Sequence, residues 1–169
     1  MILERVDEGS IRAERAEAFH CFWRPELWPR LTSHVTRVRM LEELEGWQRY
    51  AMEVEVDGKE YVMETQRIAV PPKTISFQQP KPPAFMRSHT GVWSFEERSS
   101  TTKVTIVHRV DVDDQKAVEL LGMETVEQAR TKIMDNLRKN GMAMITSVDT
   151  FLGSQEGREL VRSGIMCVQ

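Results

Sequence analysis

The sequence predicts an α+β fold in which a curved antiparallel β-sheet of six to seven strands wraps around one long C-terminal helix. Two observations carry this prediction. Segments with a two-residue hydrophobic alternation fill the middle of the chain, and the last segment changes to a helical period. An antiparallel sheet with one polar face must bury its other face, and the long helix is the element that can cover it.

The N-terminal part of the chain predicts one strand followed by two short helices. The strand covers residues 2–12, and residues 14–23 have apolar side chains at helical spacing. Pro25 is suited to the first position of a second short helix, which we expect to end near Leu31.

Six further strands are predicted before the C-terminal helix. The strongest turn signal among them is Asp57-Gly58, a dipeptide typical of two-residue hairpins. Pro80, Pro82 and Pro83 predict a stiff loop near the middle of the run. The predicted strands cover residues 35–44, 47–56, 60–69, 73–79, 90–97 and 102–112.

The end of the chain predicts one long amphipathic helix of about seven turns. Thr125 and Gln128 have the spacing of a capping box, with Thr125 as the N-cap. Apolar residues then recur at helical spacing from Val126 to Phe151. A curved sheet that wraps around such a helix leaves a cavity between them, which is the helix-grip arrangement.

Composition excludes several classes of function. The 169 residues suit one domain, predicted over residues 1–169, and 40% hydrophobic with 29% charged residues is typical of a soluble globular protein. A net charge of -3 does not fit a nucleic-acid binder. No apolar stretch is long enough to span a bilayer, and no signal segment is recognisable at the N-terminus. We therefore expect a cytoplasmic protein that binds neither nucleic acid nor membrane.

The cysteines and histidines do not predict a metal site. Cys21 and Cys167 form no CxxC pair, and their spacing to the four histidines matches no metal-binding motif. We expect two reduced thiols without a special role, no metal and no cofactor.

Two polar residues fall on the apolar faces of predicted strands. Residues two apart share a face of a strand, so Arg67 lies on the same face as Thr65 and Met63. His108 lies in the middle of an otherwise β-branched inward face. We interpret both as polar groups of a ligand cavity, because such cavities combine an apolar wall with a few polar groups.

Each of these polar residues has a simpler interpretation. A buried arginine needs a carboxylate, a water or a ligand oxygen, but Arg67 can instead extend to solvent at the end of the sheet. His108 can be a core histidine with satisfied hydrogen bonds. Asn140 falls on the apolar stripe of the long helix, where Asn140-Gly141 can also mark a kink.

The cavity is predicted to have a largely apolar wall. Phe85 and Met86 follow the proline-rich segment, which is either a lid over the cavity or a plain connector. The predicted substrate-binding residues are Trp28, Met63, Thr65, Phe77, Phe85, Met86, Trp93, Asn140 and Met144.

Short segments spread over about residues 2–152 resemble one known family. The segments are Leu27-Trp28-Pro29, Val38-Arg39-Met40-Leu41-Glu42, Val56-Asp57-Gly58, Glu64-Thr65-Gln66-Arg67, Ile75-Ser76-Phe77-Gln78-Gln79, Gly91-Val92-Trp93-Ser94-Phe95 and Val107-His108. In order and spacing they resemble the single-domain aromatase/cyclases of bacterial aromatic polyketide synthesis. That family belongs to the Bet v 1/START-like (SRPBCC) superfamily of helix-grip proteins.

The resemblance implies an enzyme that acts on a poly-β-ketone bound to an acyl carrier protein. Such an enzyme directs a regiospecific intramolecular aldol cyclisation and a dehydration that gives an aromatic ring. Arg67 and His108 are then the catalytic residues: Arg67 binds a ketone or its oxyanion, and His108 moves protons. Thr32, Ser33 and His34 are expected near the rim of the cavity. The implied partners are the carrier protein and other polyketide synthase subunits.

The sequence departs from the family at three positions. Met63 stands where the family often has tryptophan, and Val35 stands where some members have tyrosine. Some members have an acidic residue near the position of Met144, and the nearest candidate here is Asp149, about one turn further on.

Two other functions fit the same fold. A non-catalytic carrier of a lipid or quinone needs the cavity but no proton-transfer residue. A protein-interaction module predicts a filled cavity and an exposed apolar patch. Cavity volume is the observation that separates the second alternative from the others.

Overall fold

One seven-stranded antiparallel sheet forms the centre of the structure, a computed structural model that describes residues 1–56 and 58–166. Its strands are β1 (Ile2–Ile11), β2 (Val35–Leu44), β3 (Trp47–Val56), β4 (Lys59–Val70), β5 (Thr74–Lys81), β6 (Met86–Arg98) and β7 (Thr101–Val112). Their order in space is β1-β7-β6-β5-β4-β3-β2. Strands β2 to β7 therefore form a meander, and β1 pairs with β7 at the far edge.

Five helices accompany the sheet. They are α1 (Arg15–Trp23), α2 (Trp28–Leu31), α3 (Asp114–Leu121), α4 (Val126–Gly153) and α5 (Gln155–Met166), with a 3-10 turn at Pro25–Leu27 before α2. The predicted α+β helix-grip fold is confirmed, with seven strands, the two short helices after β1 and the long helix α4.

Helix α4 begins at the capping box that the sequence predicts. The Thr125 hydroxyl accepts the N–H of Gln128 at 3.2 Å, and the Gln128 side chain accepts the N–H of Thr125 at 3.2 Å. The helix extends to Gly153, two residues past the predicted stripe. Its buried side consists of Ala129, Ile133, Gly141, Met144, Ile145, Val148 and Leu152.

Two strands near the proline-rich segment are longer than predicted. Strand β6 begins at Met86 rather than at residue 90, and β5 continues through Pro80 to Lys81. A proline is tolerated in a strand where pairing is irregular, and the β4–β5 register shifts between Glu64 and Gln66. The predicted loop is therefore confined to residues 82–85.

Helices α3 and α5 were not predicted, although α3 has readable signals at both ends. The Asp113 carboxylate accepts the N–H of Lys116 at 3.3 Å, and Gly122 has the left-handed conformation (φ 63°) that often follows a helix. Helix α5 follows α4 after one residue, and its Val161 is buried in the main core.

Aromatic side chains connect α1 to the concave face of the sheet. The ring of Phe22 lies 4.7 Å from that of Trp93 and 5.2 Å from that of Phe95, measured between centroids. Phe19 contacts Phe95 edge to face at 5.5 Å. Such pairs contribute roughly 0.5–1.5 kcal/mol beyond the burial of their area, so α1 is held firmly over this end of the sheet.

A single row of paired residues crosses the middle of the sheet. Gln48 pairs with Arg67, Arg67 with Phe77, Phe77 with Gly91, and Gly91 with His108. The Phe77 ring lies over Gly91, since a Cβ added at Gly91 would be 2.5 Å from Phe77 Cζ. The two residues chosen as catalytic from the sequence thus lie in one row, separated by a phenylalanine and a glycine.

Two sequence features fall partly outside the described residues. Asp57 of the predicted Asp57-Gly58 hairpin and Cys167 are outside them, whereas Gly58 has the positive φ (74°) typical of such turns. Cys21 is buried, and burial raises the pKa of its thiol to about 12. No helix in the described part of the chain has the length and apolar character needed to cross a membrane.

We expect Gly91→Ala to lower the free energy of unfolding by about 1–3 kcal/mol, because the new methyl group would overlap both the backbone oxygen of Val107 and the Phe77 ring. Gly153→Ala is the control, since a Cβ there would meet no atom within 4 Å. Urea denaturation of the two variants checks the prediction. Equal stability of both would show that Val107 and Phe77 do not enclose Gly91 as the structure places them.

Candidate active site

A cavity of about 320 Å³ lies between the concave face of the sheet and α4. The volume is at the lower end of the range for small-molecule sites. Lys59 after the β3–β4 turn and Leu120 of α3 are exposed lining residues, which places the mouth of the cavity between these elements. The interior is therefore not filled, unlike that of the predicted interaction module.

All eleven residues chosen from the sequence line this one cavity. They are Arg67, His108, Trp28, Met63, Thr65, Phe77, Phe85, Met86, Trp93, Asn140 and Met144. Asn140 is half-buried on a helix that continues through Gly141 without interruption. The structure therefore brings the residues together, while their roles in binding and catalysis stay predictions.

The residues expected at the rim are only partly there. His34 lines the cavity, whereas Ser33 is exposed and the Thr32 hydroxyl donates to the carbonyl of Trp28 at 3.3 Å. Asp149 does not line the cavity: its carboxylate accepts the Arg12 guanidinium at 2.9 Å and the Arg12 N–H at 2.7 Å. Asp149 thus joins α4 to the end of β1.

The Arg67 side chain is buried and bonded to main-chain carbonyls. It donates to the carbonyl oxygens of Phe22 at 2.6 Å and Trp23 at 2.8 Å, and to Gln48 Oε1 at 2.6 Å. Phe22 and Trp23 end α1, whose last carbonyls have no partner within the helix. The expected carboxylate, water or ligand oxygen is therefore replaced by the negative end of a helix.

Aromatic rings surround the same guanidinium. Its Cζ atom lies 5.1 Å from the Trp23 ring centroid, 5.2 Å from that of Trp28 and 4.9 Å from that of Tyr50. These distances allow cation–π attraction to each ring. Burial lowers the pKa of Arg67 from its ordinary value, but an arginine stays protonated in proteins. The cavity thus holds a fixed positive charge at its α1 end.

At the other end of the row, His108 belongs to a chain of three hydrogen-bonded side chains. His108 Nδ1 lies 2.9 Å from His89 Nε2, and His89 Nδ1 lies 2.8 Å from Gln79 Oε1. All three residues line the cavity. Phe77 packs edge to face on both imidazoles, with centroids 5.3 Å from His89 and 5.9 Å from His108.

Both histidines are neutral near pH 7. Burial, together with a smaller effect of the neighbouring His108, lowers the pKa of His89 to about 3. Burial also lowers the pKa of His108 to about 4, while Asp7 of β1 raises it and Arg5 lowers it. Asp7 is itself paired with Arg5 at 2.8 Å, so His108 has no free carboxylate as a partner.

His89 was not identified from the sequence. It shares the inward face of β6 with Gly91 and Trp93, at the two-residue spacing that identified His108 on β7. Because the strand was predicted to begin at residue 90, the alternation was not extended to His89. Gln79 was also missed, although it lies within the predicted strand 73–79 and shares the face of Phe77 at the two-residue spacing.

Three buried polar atoms of cavity residues have no hydrogen-bond partner within the described residues. They are Thr65 Oγ1, Arg67 Nε and His108 Nε2. A buried polar atom without a partner is unusual and costs about 1–3 kcal/mol. A ligand with polar atoms at both ends of the row could supply the missing hydrogen-bond partners.

Across the part of the chain that the structure describes, no group of three or more His, Cys, Asp or Glu side chains could hold a metal ion.

The fold and the cavity together define a helix-grip protein with an internal site for a small molecule. The chain belongs to the polyketide cyclase / dehydrase and lipid transport family, whose sequence model matches residues 11–139. The family suggested by the sequence resemblance is thus confirmed.

Two curated relatives come from polyketide synthases. The actinorhodin polyketide synthase bifunctional cyclase/dehydratase of Streptomyces coelicolor is 31% identical over 151 residues, which cover 82% of this chain and 46% of that protein. The granaticin polyketide synthase bifunctional cyclase/dehydratase of Streptomyces violaceoruber is 26% identical over 149 residues, which cover 86% of this chain and 46% of that protein. The chain spans about half the length of the curated relatives it matches.

Solved structures share the fold. The di-domain ARO/CYC BexL from the BE-7585A biosynthetic pathway has a TM-score of 0.82 and 26% identity, covering 88% of this chain and 49% of that one. The Zhui aromatase/cyclase from a Streptomyces species has a TM-score of 0.79 and 18% identity, and the match covers 97% of this chain and 98% of that one. The second likeness shows the fold alone.

We expect Arg67→Met to lower the free energy of unfolding by about 3 kcal/mol, because three oxygens lose a donor in the interior. Arg49→Met is the control: Arg49 pairs with Glu64 at 3.5 Å and its side chain is 40% exposed, so its loss should cost less than about 1 kcal/mol. Urea denaturation measures both. Equal losses would contradict the role of Arg67 in holding α1.

We expect the stability to fall as pH decreases from 6.5 to about 4. The unfolded histidines take up protons below pH 6.5, whereas folded His89 and His108, with pKa values of about 3 and 4, do not. The stability is therefore complete above pH 6.5 and declines below it. His108→Gln should reduce the decline between pH 7 and pH 4.5 by about 1–2 kcal/mol in urea denaturation. Carboxylates titrate in both proteins, so an unchanged decline would show that His108 is not buried and neutral.

Proposed function

We propose that this chain is an aromatase/cyclase that closes and dehydrates a ring within a poly-β-ketone, with His108 as the proton-transfer residue. The observation that carries the proposal is the unpartnered Nε2 of a neutral, buried histidine on the cavity wall. The curated relatives, named as bifunctional cyclase/dehydratases of polyketide synthases, support the same class of reaction.

The first step is the removal of a proton from a carbon between two carbonyl groups. The Nε2 lone pair of His108 takes this proton, and the substrate becomes an enolate. The enolate carbon then attacks a ketone carbon of the same chain, so one C–C bond forms and the ketone oxygen becomes an alkoxide. The protonated His108 returns its proton to that alkoxide, which leaves the imidazole neutral again.

Dehydration uses the same residue a second time. His108 Nε2 removes another proton next to a carbonyl group, and the hydroxyl leaves with the proton that His108 carries. One water is released for each C=C bond formed, and no oxidant or reductant is required. A low pKa makes the protonated His108 a strong acid for the return of its proton, and it makes the neutral imidazole a correspondingly weak base in the first step.

Arg67 and Thr65 would hold a substrate oxygen at the other end of the row. Their unpartnered Nε–H and hydroxyl groups lie two residues apart on one face of β4. Three strand spacings separate Arg67 from His108, or roughly 14 Å between their backbones. We therefore assign Arg67 to an oxygen remote from the reacting carbons, with Phe77 between the two ends.

The apolar wall would select the folded conformer of the substrate. Trp28, Met63, Trp93 and Met144 line the cavity between the polar groups. A poly-β-ketone chain is flexible, so holding one conformer removes much of the entropic barrier to ring closure. Phe85, Met86 and Asn140 complete the proposed substrate-binding set. The carrier protein that presents the chain would dock near the mouth of the cavity.

His108→Gln tests the proposal in a polyketide synthase reconstituted with this chain. We expect the yield of the correctly closed ring to fall at least about tenfold, with more non-enzymatic products, because glutamine cannot accept and return the proton. Product profiles by liquid chromatography and mass spectrometry measure the effect. Thr65→Val, which keeps the shape of the side chain, should also lower the yield if its hydroxyl holds a substrate oxygen.

His20→Gln is the matched control, since His20 is half-buried beside α5 and does not line the cavity. It should leave the product profile unchanged. Wild-type yield from a folded His108→Gln variant would refute the assignment of His108. A bound lipid or quinone recovered from the protein, with no effect on polyketide products, would instead establish a carrier.

A further inference from the structure

The hydrogen-bond chain behind His108 has one favoured direction. Gln79 Nε2 lies 3.7 Å from Met63 Sδ, and a thioether sulfur can only accept. With this amide orientation Gln79 makes two hydrogen bonds, and with the opposite one it makes a single bond to His89. The carbonyl oxygen of Gln79 therefore faces His89 Nδ1.

A carbonyl oxygen accepts but does not donate, so His89 Nδ1 carries the hydrogen of the 2.8 Å bond. The neutral His89 then has its lone pair on Nε2. His108 Nδ1, 2.9 Å away, must donate to that lone pair, and its own lone pair remains on Nε2. The same Nε2 is the buried atom that has no partner within the described residues.

We propose that His89 and Gln79 are positioning residues that hold His108 in the tautomer whose Nε2 lone pair faces the substrate. Neither residue touches the reacting atoms. His89 takes the place that a carboxylate occupies in many acid–base sites, but as an uncharged acceptor. The effect on turnover rests on the proposed function, whereas the tautomer of His108 does not.

The space in front of His108 Nε2 agrees with this direction. A Cβ added at Gly141 of α4 would lie 3.9 Å from Nε2, so this nitrogen faces the backbone of α4 at a position that carries no side chain. On the sheet side the Phe77 ring packs against both imidazoles and restricts their rotation. The direction of the lone pair is thus fixed, and no atom of the described residues forms a hydrogen bond with it.

Because the acceptor behind His108 is uncharged, a protonated His108 gains little electrostatic stabilisation. The charged groups that face it are Asp7 and Arg5 of β1, which pair with each other, and Arg138 of α4 lies 3.7 Å from Asp7. A carboxylate at position 79 would stabilise the protonated form of His108. It would keep the direction of the hydrogen bonds, because it also accepts from His89 Nδ1.

The test compares His89→Leu with His89→Gln in the full chain, using 15N NMR of the imidazole nitrogens. In the wild type we expect His108 Nδ1 to carry the hydrogen and Nε2 to be unprotonated from pH 5.5 to 8. His89→Leu should give a mixture of tautomers and lower the yield of the closed ring by about 10–100-fold. His89→Gln, whose side-chain oxygen can accept from His108, should restore at least part of both.

Gln79→Glu tests the proposal through the pH–yield profile, which would not change if Gln79 had only a structural role. It should keep the tautomer of His108 and shift the acid limb of the pH–yield profile upwards, because the added charge favours protonated imidazole. A wild-type His108 that carries its hydrogen on Nε2, or an unchanged tautomer in folded His89→Leu, would overturn the proposal. If His108→Gln leaves turnover unchanged while these NMR results hold, the proposed function fails and the tautomer assignment stands.

Discussion

The buried charge of Arg67 is the constraint on which the site depends. A guanidinium in the interior needs acceptors, and the carbonyls that end α1 need donors. The two needs are met together, because Arg67 donates to the carbonyl oxygens of Phe22 and Trp23. This exchange fixes α1 over β4, and Phe22 then contacts Trp93 on the cavity wall. Arg67 therefore sets the charge at this end of the cavity and also the position of α1 beside it.

The two ends of the row that crosses the sheet differ in charge. The Arg67 end keeps a permanent charge, partly neutralised by helix carbonyls and aromatic faces. The His108 end is neutral, because burial lowers the pKa of both histidines. A positive charge that cannot leave suits the binding of an oxygen, whereas a group that exchanges protons must change its charge during the reaction. Because Arg67 and His108 lie at opposite ends of the row, the charge of Arg67 stays far from the histidine whose protonation it would disfavour.

Side-chain alternation predicts much of this site, and its failures have identifiable causes. It identified the inward faces of β4 and β7, so Arg67 and His108 were found without knowledge of their partners. It could not predict those partners, because Arg67 bonds to main-chain carbonyls that no side-chain pattern reveals. His89 was lost to an error of four residues in the start of β6. Helix α3 is marked by its cap residues rather than by a hydrophobic period, and packing against α4 and the core decides the positions of α3 and α5.

Under the proposed function, the row across the sheet would determine which ring is formed. Strand pairing fixes Arg67 and His108 at a constant separation, with Phe77 and Gly91 between them. If one substrate oxygen is held at β4 and one carbon loses its proton at β7, the number of chain atoms between them follows from this separation. The apolar wall then decides which way the intervening chain folds. On this view the sheet register determines which carbon is activated, and His89 and Gln79 determine whether the imidazole facing it can act as a base.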